Sequence, residues 1–130
     1  MAQFTLRHQC RCSYDDALGK IPAALASEGF GVLTEIDVKD TLKRKLNLDF
    51  RRYRILGACN PSLAHQALSA ELDVGVMLPC NIVVYENDNG EATVLAIDPM
   101  QTMASAVGPA MREIAGTVRQ KLEKVLARID

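Results

Sequence analysis

Two of the four cysteines in this 130-residue chain stand beside asparagine and proline: Cys59-Asn60-Pro61 closes one apolar run, and Pro79-Cys80-Asn81 opens the next. A thiol where a strand meets a loop or helix can be both exposed and electrostatically tuned, whereas a cysteine in mid-strand is usually buried and inert. Cys59 precedes a helix start, where backbone N–H groups and the helix dipole stabilise a thiolate. It is therefore a candidate redox or nucleophilic thiol, with Cys80 as its resolving partner. The competing account of both is that small residues fill tight buried corners. Asn60 and Asn81 bring amide donors and acceptors that can orient a ligand, although capping of the following helix is reason enough for Asn60. His65, about one turn into that helix, is a candidate base or metal ligand beside Cys59; the alternative is a half-buried histidine with one backbone partner.

Other pairings are weaker. Cys10 and Cys12 share a strand face and have the look of a C-x-C metal pair, but Phe4 and Leu6 share that face and burial explains them more simply. Glu35 and Asp37 are two carboxylates on one strand face, suited to a cation or to acid and base work, and equally to simple solvation. No glycine-rich phosphate loop, serine elbow or H-E-x-x-H motif occurs. The sequence points to no cofactor.

Composition narrows the class of partner. A formal net charge of −1, with 48% hydrophobic and 24% charged residues, gives no bias toward nucleic acid or an acidic membrane. The absence of Trp and the presence of only three Phe and three Tyr leave few stacking platforms for bases. The stretch from Met1 to His8 lacks an apolar targeting core, and no run approaches about 18 uncharged apolar residues, which makes the expected location cytoplasmic. Four cysteines without paired C-x-x-C spacing are read as reduced thiols.

The elements that must position these residues follow from periodicity. Residues 3 to 12 alternate as a strand, and Ser13 caps a helix carrying Ala17, Leu18, Ile21, Ala24 and Leu25 inward, with Pro22 expected to bend or split it. Gly29 stops that helix. Phe30 to Asp37 reads as a strand with Phe30, Val32, Thr34 and Ile36 on one face. Val38 to Leu46 reads as a short amphipathic helix, and Phe50 to Ala58 as a third strand. Asn60 and Pro61 then open a helix to Leu72. Asn81 to Glu86 and Ala92 to Ile97 make a hairpin about Asn87-Asp88-Asn89-Gly90. A final helix starts at about Ala104 or Pro109 and runs to Ile129 with Met111, Ile114, Val118, Leu122, Val125 and Ile129 in a stripe.

The order β-α-β-α-β-α-β-β-α predicts a single α+β domain with one mostly antiparallel sheet of about five strands and helices mainly on one face. If the third and fourth strands are antiparallel neighbours, Cys59 and Cys80 fall at the same end of the sheet; a parallel crossover would put them at opposite ends. A sheet face left partly bare makes a homodimer the economical arrangement.

The blocks Gly29-Phe30-Gly31-Val32-Leu33-Thr34-Glu35-Ile36-Asp37-Val38, Tyr53-Arg54-Ile55-Leu56-Gly57-Ala58-Cys59-Asn60-Pro61 and Leu78-Pro79-Cys80-Asn81-Ile82-Val83-Val84-Tyr85-Glu86 resemble the prokaryotic family catalogued as domain of unknown function 302. The likeness spans nearly the whole chain, including both Cys-Asn pairs and the Ala64-His65 step. It implies a small α+β domain shaped like the TATA-binding-protein fold, often dimeric and without established activity, and it does not carry DNA binding with it. Three readings remain open at this point. The first is a homodimeric binding protein holding a small molecule or metal at Cys59, Asn60, His65, Cys80 and Asn81. The second is a thiol enzyme using Cys59, Cys80 and His65, and the third a protein-interaction module.

Overall fold

The computed structural model describes residues 4–103 and 108–130. Five strands form one antiparallel sheet in the order β1-β5-β4-β3-β2, with β1 Thr5–Ser13, β2 Gly31–Asp37, β3 Tyr53–Cys59, β4 Cys80–Glu86 and β5 Glu91–Ile97. The helices are α1 Tyr14–Ala26, α2 Val38–Leu46, α3 Pro61–Ala70, a short α4 Pro99–Thr102 and α5 Pro109–Ala127, with a 3-10 helix Leu72–Met77 after α3. The expected α+β order holds, and every strand pair is antiparallel. Among the described residues no helix is long and apolar enough to cross a membrane.

Local chemistry accounts for the boundaries. The Ser13 hydroxyl accepts from Asp16 N–H at 3.1 Å to start α1, and Asp37 does the same for α2 through Asp40 N–H at 3.0 Å. Helix α1 continues through Pro22 to Ala26 and is not split. The β4–β5 turn closes on Asn87, whose side chain accepts from Asn89 and Glu91 N–H while Gly90 takes φ +79°. Helix α5 begins at Pro109; the alternative start at Ala104 lies outside the described residues.

Helices α1 and α5 cover one sheet face. Ile21, Leu25, Leu122 and Ile129 are fully buried there against Leu6, Leu56, Ile82, Val84 and Val94. Each such burial contributes about 1.5–3 kcal/mol before chain entropy is counted. On the opposite face Ile36, Ile55, Val83 and Leu95 line up across four strands through the Ile36↔Ile55, Ile55↔Val83 and Val83↔Leu95 pairs, and none is buried. Tyr53 stacks on Tyr85 on that same face, with ring centres 5.6 Å apart, and Phe50 packs 6.2 Å from Tyr53.

Two expectations are corrected. Strand β2 does not alternate as one continuous run, because a bulge between Val32 and Thr34 places one extra residue opposite β3; Phe30 lies just before the strand and is buried. The cysteines are not all free thiols, since Cys10 and Cys12 are joined by a disulfide within an irregular part of β1, leaving Cys59 and Cys80 unbridged.

The close packing of β2, β3 and the entry to β4 rests on Gly57. A Cβ there would collide with the Thr34 hydroxyl and lie 2.8 Å from Pro79 Cγ. Gly57→Ala is expected to lower stability by about 1–3 kcal/mol in chemical denaturation, as overpacking does; an unchanged midpoint would contradict this packing.

Candidate functional site

Strands β3 and β4 are adjacent, and the chain between them leaves the sheet as α3 and the 3-10 helix and returns antiparallel. Ala58 therefore stands opposite Cys80, and the end of β3 meets the start of β4 at one edge of the core. Asn60 fixes the departure. Its Oδ1 accepts from Leu63 N–H at 3.3 Å as the cap of α3, and its Nδ2 donates to the Glu28 carbonyl at 3.2 Å. Gly29 is needed beside it, with φ +83° and only 3.0 Å between a would-be Cβ and Asn60 Nδ2.

A cavity of about 280 Å³ opens at this junction. Ala58, Cys59 and Cys80 form its sheet side, and Leu63, Ala64, Ala67 and Leu68 of α3 form a wall. Ile114 and Val118 of α5, with Met103, line it from the other side, and Phe30 and the exposed Leu33 flank its open mouth near β2. The polar side chain among these is Asn60, and both ends of its amide are already bonded. A cavity so lined favours a neutral apolar guest over water or an ion.

The thiols differ in setting. Cys59 is half-buried, whereas Cys80 is buried and its pKa is pushed up to about 11, first by burial and then by the nearby Cys59. At neutral pH Cys80 is thus a protonated thiol, a poor nucleophile and a compact apolar wall.

Three of the five expected site residues, Cys59, Asn60 and Cys80, line this cavity. His65 does not: it is exposed on α3, with Nε2 3.5 Å from the Ser69 hydroxyl. Asn81 is exposed and pairs with Gly57 one residue out of phase with Cys80, which turns it to the other sheet face. Among the described residues no group of three or more His, Cys, Asp or Glu side chains is placed to hold a metal ion. Glu35 and Asp37 are engaged by Arg54 of the neighbouring strand, Asp37 at 3.4 Å, and Asp37 also caps α2. Beside them burial raises the Tyr14 phenol's pKa, with the Arg54 guanidinium pulling against it.

The apolar walls are what the sequence reading missed. The available signal was the run of small residues Ala58, Ala64 and Ala67 on elements that converge beside two cysteines.

Comparison with known proteins places the chain in a group. Residues 6–129 match the family model described as domain of unknown function DUF302. The crystal structure of an uncharacterized conserved DUF302 protein from Bacillus stearothermophilus is 32% identical, with 99% of this chain and 100% of that one covered and a TM-score of 0.91. No curated protein matches the chain.

The Cys80 environment gives a stability signature. Its thiol ionises at an ordinary value of 9.0 when exposed and at about 11 when folded, so its contribution is fully present below pH 9 and is lost as pH rises toward 11. Between pH 8 and 11 the wild type should lose about 2–3 kcal/mol more stability than Cys80→Ala. Parallel pH–stability curves for the two proteins would show that Cys80 is not desolvated.

Proposed function

Because the chain belongs to the DUF302 family of domains of unknown function, its activity has to be read from its own geometry, and we propose that it binds a small neutral apolar molecule in the cavity between β3, β4, α3 and α5. The observation that carries this reading is an apolar space of about 280 Å³ whose lining offers no charge and no unengaged amide. A cavity of about 150 Å³ is enough for benzene, which makes a guest of one to two fused rings, or a short branched alkyl group, the fitting size. Cys59 supplies a weak S–H donor for one polar atom of the guest. The raised pKa of Cys80 weighs against a thiol enzyme with Cys80 as the resolving group.

We also propose that the domain works as a homodimer through its uncovered sheet face. Five strands of about seven residues present about 550 Å² per copy, so that face-to-face pairing buries about 1,100 Å² in total, just above what a specific interface needs. The Ile36, Ile55, Val83 and Leu95 row would form the centre, and Tyr53 and Tyr85 would supply aromatic anchors. Arg7, within 3.4 Å of the Tyr85 hydroxyl, and Arg51, 5.9 Å from that ring, would lie at the rim.

Both proposals are open to direct tests. A neutral naphthalene-type fluorophore should bind the wild type, and Ala64→Phe, which fills the space, should weaken it at least tenfold without loss of helical circular dichroism; unaltered binding would put the guest elsewhere, and no binding at all would refute the reading. In sedimentation equilibrium the wild type should run as a dimer and Val83→Glu as a folded monomer, since the charge would be buried unpaired. A wild-type monomer would reject the sheet-face interface.

A further inference from the structure

The Cys10–Cys12 bridge lies apart from the cavity, on the strand at the far edge of the sheet from β2. Gln9 pairs with Thr93 and Ser13 with Glu91, which leaves the three residues Cys10, Arg11 and Cys12 of β1 opposite the single residue Ala92 of β5. The Ala92 carbonyl is met instead by the Gln9 side-chain amide at 3.2 Å. This bulge draws the Cys10 and Cys12 Cα atoms to 5.3 Å, against about 6.6 Å for alternate residues of a regular strand. A bridge across one intervening residue closes so short a loop that it removes little entropy from the unfolded chain, and stapling is a weak reason for it.

Its surroundings are those of an exchangeable bond. Strand β1 is a sheet edge, and Cys12 is half-buried while Cys10 is 1% exposed, which makes Cys12 the more approachable of the two for an incoming thiolate. The Cys12 backbone N–H points at Cys10 Sγ from 3.2 Å, where it would stabilise a departing thiolate. The Ile129 carbonyl oxygen lies 3.6 Å from Cys10 Sγ and 3.7 Å from Cys12 Sγ, in place to accept from either sulfur once it carries a proton. The chain's last residue is tied to the same bulge, because Asp130 accepts from Arg11 N–H at 3.2 Å and pairs with His8 at 3.3 Å.

We propose that Cys10–Cys12 is a redox-active disulfide that exchanges with low-molecular-weight thiols of the glutathione type. A first thiolate attacks Cys12 Sγ, forming a mixed disulfide on Cys12 as the Cys10–Cys12 bond breaks and Cys10 leaves as a thiolate beside the Cys12 N–H. Cys10 then takes a proton from solvent. A second thiolate attacks the glutathione sulfur of the mixed disulfide and releases Cys12, which is protonated in turn. The balance is one protein disulfide and two thiols giving one protein dithiol and one glutathione disulfide, a two-electron transfer.

The test equilibrates the native protein in glutathione buffers from fully oxidised to fully reduced, then quenches with acid, alkylates and reads Cys10 and Cys12 by peptide mass spectrometry. Both thiols should appear together and reversibly within that range. In Cys10→Ser, one glutathione should be found on Cys12. Free Cys10 and Cys12 in fully oxidised buffer, a bridge that survives fully reduced buffer, or no adduct on Cys12 of the variant would each overturn the proposal.

Discussion

The antiparallel pairing of β3 with β4 is the constraint on which the rest of the site depends. Backbone bonds between Tyr53–Cys59 and Cys80–Glu86 fix Ala58 opposite Cys80, and they force the intervening segment to leave the sheet and return at the same end. Helix α3 and the 3-10 helix are that excursion. Because α3 starts on the Asn60 cap and carries Ala64 and Ala67 toward the sheet, it cannot fill the angle it makes with β3 and α5. The cavity is thus a consequence of topology combined with small side chains. A one-residue slip of β4 would turn Cys80 to the opposite face and put Asn81 into the core.

Two sheet faces with different fates follow from the same strands. The face toward α1 and α5 holds a continuous core from Leu6 to Ile129, and the other offers isoleucine, valine, leucine and tyrosine without a covering helix. Strand β2 is the weak member of the sheet. It is an edge, it is bulged, and none of its seven residues is buried. Beyond its backbone ladder to β3, it is held by Arg54, which engages both Glu35 and Asp37, and by the close approach of Thr34 over Gly57. Exposed pairs of this kind contribute little individually, and a network anchored by one arginine is more effective than isolated contacts.

Much of the fold was legible because short-range signals agreed. Ser13 and Asn60 announced helix starts that the hydrogen bonds bear out, and Asn87 through Gly90 announced the hairpin; the Asp37 cap of α2 went unread, because Asp37 also ends a strand. The placement of Cys59 and Cys80 at one sheet end was legible only as a condition on strand pairing, which local pattern does not decide. His65 was misplaced for a related reason. One turn into the helix fixes its distance from the cap but not its face, and on α3, which ends at Ala70, that face is exposed. Alternation also concealed both bulges. In β2 one extra residue reversed the expected faces, and in β1 it is the bulge that brings Cys10 and Cys12 within bonding distance, where spacing alone suggested two buried thiols.

The central claim is that the apolar space at the junction of β3, β4, α3 and α5 takes an apolar guest. Xenon, which has no charge and no hydrogen-bonding capacity, is the most direct probe of such a space. A crystal pressurised with xenon should show the atom enclosed by Ala67, Cys80 and Ile114. Ordered water hydrogen-bonded at that position, or no xenon there, would contradict the account.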